Sequence, residues 1–199
     1  MISILIGPPG SGKTTQAKLL AKELDLPLIA TGDLVRKAIN DNYKNYKEIV
    51  DGGSLLPDTV VFEIIRNDIE KLDIKRGFII EGFPRTIGQA KILDDYLNFN
   101  KISIDFVFYL QIGKEELMER ILKRKYTDKS DRPDDDLEAF NKRLEVYFSD
   151  SYPLYEYYTK RYLLYEVSAS NDIDNVFSDI LAVISFWKRG KILIRSWFY

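Results

Sequence analysis

The residues best suited to chemistry form four groups. The first is Gly7-Pro8-Pro9-Gly10-Ser11-Gly12-Lys13-Thr14, which fits the pattern G-x-x-x-x-G-K-[ST]. Glycines there let backbone N–H groups converge on phosphate oxygens, and a following helix adds partial positive charge from its N-terminus. Lys13 supplies a point charge for β- and γ-phosphates, and Thr14 or Thr15 can offer a hydroxyl to phosphate or Mg²⁺. The second group is Glu81-Gly82-Phe83-Pro84-Arg85, where the carboxylate can face Mg²⁺ or its waters and the guanidinium can grip phosphate. The third is Thr31-Gly32-Asp33 with Arg36. The fourth is a set of arginines, Arg120, Arg124, Arg132 and Arg143, able to neutralise charge moving between two phosphate groups. Read singly, each of the last three groups is no more than a turn or a solvated helix face.

These groups need elements to position them. Apolar runs at 2–6, 27–30, 77–81, 105–110 and 163–167 read as strands. Helix-period segments at 14–24, 31–40, 46–51, 58–72, 86–97, 114–125, 136–148, 151–162 and 171–187 separate them, with Thr31 placed as a helix N-cap. Strands alternating with helices imply parallel pairing and right-handed crossovers. The expected fold class is α/β, a P-loop three-layer fold with a central parallel sheet. Ligands of such sheets sit at the carboxyl ends of the strands. The first three groups all fall there. Residues 30–57 and 125–136 fit this core poorly and read as inserts.

Composition removes other chemistries. The chain has 199 residues, no cysteine and no histidine. That excludes a disulfide framework, a thiolate nucleophile, an imidazole base and Cys- or His-based metal sites. A net charge of -2 argues against wholesale nucleic-acid binding, and no partner of that kind is expected. No apolar run approaches 18 residues, and the segment 1–6 lacks the features of a signal peptide, so the expected compartment is the cytoplasm.

In this order the motifs resemble those of the adenylate kinases, within the nucleoside monophosphate kinase family. The likeness runs over residues 1–184 and includes the phosphate loop, Thr31–Arg36, the run from Gly77 to Thr86, Gln89, Arg120 with Arg124, Arg132-Pro133-Asp134-Asp135, Lys142-Arg143-Leu144 and 153–158. It implies the reaction ATP + AMP ⇌ 2 ADP with Mg²⁺, a monomer, a monophosphate-binding insert at about 30–57, and a lid at about 125–136. Seven residues separate Arg124 from Arg132, which resembles the short-lid members. The resemblance assigns the ATP phosphates to Gly10, Ser11, Gly12, Lys13, Thr14 and Thr15, and the ATP base to Arg120 and Asn171. It assigns AMP to Thr31, Arg36, Ser54, Leu55, Leu56, Gly82, Phe83, Pro84, Arg85 and Gln89. Arg124, Arg132 and Arg143 surround the transferred phosphoryl group, the last two also reaching AMP. Glu81 and Asp33 touch Mg²⁺ through water, and Thr14 is a further candidate for the metal.

Three positions depart from the family pattern. Glu81 stands for Asp, and its extra methylene is expected to move the metal contact outward. Thr14 stands for Gly and brings the loop nearer the general phosphate-loop pattern. Gly88 stands for Pro and is expected to loosen the start of its helix. The nearest rival is a UMP/CMP kinase; Thr31 and the stretch 86–89 favour adenine over it. A rival of another class is a non-catalytic nucleotide-binding module, which has no use for both Arg36/Arg85 and the lid arginines.

Residues 185–199 form a basic–aromatic tail with both tryptophans and Lys188, Arg189, Lys191 and Arg195. The expectation is that its aromatics pack on the core. The alternative is a patch for a membrane surface or a partner.

Overall fold

The computed structural model describes residues 1–127 and 137–196, with side chains except at 121, 122, 124–139 and 190–199. Five parallel strands form one sheet in the order β2-β3-β1-β4-β5, with β1 at Ile2–Ile6, β2 at Leu28–Ala30, β3 at Phe78–Glu81, β4 at Phe106–Gln111 and β5 at Leu164–Ser168. All of β1 and β3 is buried, as suits central strands of a parallel sheet covered on both faces.

Side-chain alternation divides the core in two. Ile2, Ile4 and Ile6, with Phe78 and Ile80, point to one face. There they meet α4 (Asp58–Ile69), α5 (Ile87–Phe99) and α8 (Pro153–Thr159) through Ile65, Ile69, Leu93, Leu97, Leu154 and Tyr158. Leu5 and Ile79, with Phe106 and Phe108, point to the other face, against Ala17 and Leu20 of α1 (Lys13–Leu24) and Val176, Ile180 and Ile184 of α9 (Ile173–Ser196). This is the expected three-layer arrangement.

Register sets the strand ends side by side. Leu5 and Ala30 both pair with Glu81, and Ile6 pairs with Tyr109. The residues that follow, at Gly7, Thr31 and Gly82, therefore leave the sheet at one edge. The remaining helices are α2 (Thr31–Asp41), α3 (Lys47–Asp51), α6 (Lys114–Thr127) and α7 (Leu137–Val146), with a 3-10 turn at Lys44–Tyr46 and a π turn at Tyr147–Ser151.

Three local expectations change. Thr31 is the first residue of α2, not its cap: Ala30 takes the cap position, and no side-chain cap bond forms. The segment 151–162 is shorter than its pattern suggested because the π turn takes Tyr147–Ser151 and α8 starts at Pro153, a residue suited to a helix start. Helix α9 runs on to Ser196, past the expected end at 187, since no proline interrupts 188–196. In the tail, Trp187 packs edge-on against Phe106 at 5.1 Å between centroids, as the packing reading expected, whereas Phe186 is 78% exposed. Phe198 and Tyr199 lie outside the described residues.

Candidate active site

The phosphate loop joins β1 to α1. Gly7 has φ 145°, and a Cβ there would lie 2.7 Å from the Leu110 carbonyl oxygen of the neighbouring strand. Only glycine lets the chain turn so close to the sheet. Gly12 caps α1 in the left-handed region with no side-chain cap bond, so the first N–H groups of the helix remain for a ligand. The Ser11 hydroxyl is buried without a protein partner. A buried orphan hydroxyl beside a helix start fits a phosphate oxygen.

Lys13 folds back so that its ammonium donates to the Pro8 carbonyl at 2.7 Å. Burial lowers its pKa to about 8; Glu81 opposes that shift, while Arg85 and Arg143 add to it. A cation so poorly solvated is poised to be neutralised by an incoming phosphate. Glu81, at the end of β3, is buried. Lys13, Arg85, Arg143 and Gly82 line one cleft together with Pro84, Leu55 and Tyr147. Tyr147 carries no sequence signal of its own. Its hydroxyl donates to that of Tyr109 at 3.1 Å, and burial pushes its pKa well up, so it remains a neutral phenol.

On the β3 side a second cleft adjoins the first. It is lined by Thr31, Arg36, Ser54, Leu55, Leu56, Gly82, Arg85, Gln89 and Arg143. Arg85 and Arg143 thus face both clefts. Arg36 pairs with Asp33 within α2 through one carboxylate oxygen. The Arg85 Nε donates to the Gly82 carbonyl at 2.9 Å, and its backbone N–H donates to Gln89 Oε1 at 2.7 Å. The Arg85 carbonyl accepts from the Ser151 hydroxyl at 2.8 Å. The Thr31 hydroxyl is buried in this cleft without a protein partner. Phe83 is the exception: its side chain turns into the core beside Phe62, 6.3 Å between centroids.

On the β5 side a third cleft is lined by Ser11, Gly12, Thr15, Arg120, Asn171 and the start of α9. Arg120 is held there by Glu116 at 2.6 Å and by the Ala169 carbonyl at 2.6 Å. Gln16, which the motifs did not single out, donates to the Ile173 carbonyl at 2.9 Å and ties α1 to α9. Thr14 is partly buried beside Lys13. Arg132, and the side chain of Arg124, lie outside the described residues, as does most of the lid at 125–136.

No group of three acidic residues gathers to hold a metal by itself among the described residues. The oxygen donors at hand, the Thr14 hydroxyl and the Glu81 carboxylate, suit a hard cation that takes the rest of its ligands from water and phosphate, as Mg²⁺ does.

The arrangement places a phosphate loop between two clefts, with Arg85 and Arg143 bridging toward one of them. The family model described as Adenylate kinase matches residues 5–163. A curated adenylate kinase of Caldanaerobacter subterraneus subsp. tengcongensis is 40% identical over 217 aligned residues, covering 95% of this chain and 98% of the relative. One from Thermoanaerobacter sp. (strain X514) is 39% identical, covering 94% and 99%. One from the archaeon Archaeoglobus fulgidus is 35% identical, covering 91% and 96%. Taken with the fold and the order of the motifs, these matches mean that the chain belongs to the adenylate kinase family.

Proposed function

We infer that this enzyme transfers the terminal phosphoryl group of ATP to AMP, giving two ADP, and that the cleft on the β5 side takes ATP while that on the β3 side takes AMP. The observation that carries the reading is the position of Arg85 and Arg143 on both the Lys13 cleft and the Thr31–Gln89 cleft. Two anionic substrates meeting there need cations between them.

In this reading the N–H groups of Gly10–Thr15 hold the ATP phosphates, with Lys13 on the transferred group. Arg120 and the Asn171 backbone flank the ATP base. Arg36 and Arg85 hold the AMP phosphate, Ser54–Leu56 wall its base, and Thr31 and Gln89 contact it. Gly82 and Pro84 shape the turn that carries Arg85, and Phe83 serves by anchoring that turn in the core. An AMP phosphate oxygen forms the new bond to the γ-phosphorus as the bond to the bridging β–γ oxygen breaks, leaving ADP on each side. The nucleophile is already anionic, so no histidine base is needed. Arg85 and Arg143, with Arg124 and Arg132, act by position and charge. Thr14, Glu81 and Asp33 are the residues that would hold Mg²⁺ brought with ATP, which would supply charge neutralisation at the phosphates.

Residues 30–57 serve as the monophosphate-binding insert. We take the enzyme to act as a monomer, as the resemblance implies, and no helix of the described residues is long and apolar enough to cross a membrane. We place the enzyme in the cytoplasm. Turnover of AMP, CMP and UMP with MgATP tests the assignment. AMP should be used fastest, and faster use of UMP or CMP rejects it.

A further inference from the structure

We propose that Asp58 is a specificity-determining positioning residue: acting through Thr86, it fixes the Gln89 amide with its nitrogen toward the AMP cleft. The cleft then takes a base with an unprotonated ring nitrogen on its pairing edge. This rests on the AMP reading above and deepens it.

The chain of contacts is continuous. The Thr86 hydroxyl donates to Asp58 Oδ1 at 2.9 Å and accepts from the Gln89 backbone N–H at 3.0 Å. A hydroxyl has one proton. Giving it to Asp58 leaves a lone pair for the start of α5, where Thr86 is the cap. Gln89 in turn accepts from the Arg85 N–H through Oε1 at 2.7 Å. A backbone N–H can only donate, so chemistry alone decides which end of this amide faces Arg85. The nitrogen is the end left for the cleft.

One observation supports a ligand beside that nitrogen, and another bears on the place of Asp58. The hydroxyl of Thr31, a residue 3% exposed in the same cleft, has no protein partner. Gly88 is open for a reason: a Cβ there would lie 2.1 Å from Asp58 Oδ2. The missing side chain leaves room for the carboxylate against the first turn of α5, where negative charge is favoured. Asp58 also opens α4, directly after the Ser54–Leu56 wall, so the wall and the base-reading amide share one anchor.

The consequence is a donor of fixed polarity. An amide N–H meets the unprotonated N1 of adenine favourably. It meets the ring N–H of hypoxanthine, guanine or uracil as donor against donor, leaving buried groups unpaired. The Thr31 hydroxyl can accept from an exocyclic amine. Cytosine shares the ring acceptor and is discriminated by its size instead.

The test is steady-state kinetics of the full chain with MgATP against AMP and IMP. Wild type should prefer AMP by at least about a hundredfold in kcat/KM. Asp58→Ala should raise KM for AMP about tenfold or more, hold KM for ATP within about twofold, and lower the AMP-to-IMP ratio about tenfold. Asp58→Asn should stay near wild type, because its amide oxygen still accepts from Thr86. Gln89→Glu puts an acceptor where the donor stood and should move preference toward IMP. An Asp58→Ala protein that melts normally and keeps both KM for AMP and the base ratio overturns the proposal. Asp58→Asn as damaging as Asp58→Ala overturns it too. If Asp58→Ala does not fold, Gly88→Ala displaces the carboxylate without removing it, and an unchanged ratio there is equally fatal. A wild type that prefers CMP or UMP sinks the AMP reading itself, whereas a normal wild type with an indifferent Asp58→Ala sinks only this proposal.

Discussion

The clefts assigned to ATP and AMP are built by different means. On the ATP side the chain offers mostly backbone: helix N–H groups behind Gly12, and carbonyls at 169–173 that hold Arg120 and Gln16. On the AMP side it offers side chains held in a relay from Asp58 through Thr86 and Gln89 to Arg85, with Ser151 closing the far end. Backbone donors recognise what every nucleotide shares, its phosphates. Side chains of fixed polarity recognise what differs, the base. The difference assigns discrimination to the AMP side and phosphoryl handling to the loop between the two.

The largest expected effect tests the loop. Lys13→Ala removes the cation nearest the transferred group and should lower kcat about 10²- to 10³-fold, the scale for one preorganised charge or donor at a reacting centre. KM for AMP should stay within about twofold, because none of the hydrogen bonds described from Asp58 to Arg85 involves Lys13. A matching rise in KM for AMP, measured in the same assay, would mean that the two sides do not divide the work as described.

Acid–base behaviour sharpens the same division. Lys13 is lowered to about 8, chiefly by burial. In the free enzyme its ammonium is therefore intact below that pH and lost above it. The profile of kcat/KM for MgATP, which reports the free enzyme, should be level below pH about 8 and then fall about tenfold per unit. Lys13→Arg stays cationic throughout, so the alkaline limb should vanish in that variant whatever its absolute rate. Survival of the limb in Lys13→Arg would assign it to another group.

What was legible in the sequence follows the same boundary. The loop, the strand ends and the arginines next to them, Arg36 and Arg85, could be placed because each depends on a short motif beside an apolar run. Gly7 to Thr14 works within one turn, and Glu81 to Arg85 leaves one strand. The relay was not legible, because its bonds join residues 28 and 66 apart in the chain. In the sequence Asp58 and Ser151 each stand only as the first residue of a helical segment. Gly88 was noticed only as a missing proline, since nothing nearby in sequence shows what fills the space. Thr31 was misplaced as a cap for a related reason. Thr is a common cap residue, but its hydroxyl makes no cap bond and is left for the cleft. Tyr147 gave no signal because a tyrosine at helical spacing reads as core.

The smallest expected effect falls at the far end of the relay. Ser151 belongs to the π turn that follows α7, the helix carrying Arg143, and its hydroxyl donates to the Arg85 carbonyl. Insertions of this kind within helices often mark functional sites. Here the turn links the two arginines that face both clefts. Ser151→Ala leaves that carbonyl to water, because the bond is solvent-exposed, so the loss is that of one net hydrogen bond, about 0.5–1.5 kcal/mol. That corresponds to a rise of about two- to tenfold in KM for AMP, with KM for ATP unchanged. Ser151→Thr, which keeps the hydroxyl, should recover most of it. An equal rise for both substrates would show that the π turn supports the whole cleft and not the AMP side alone, and the relay would then end at Arg85.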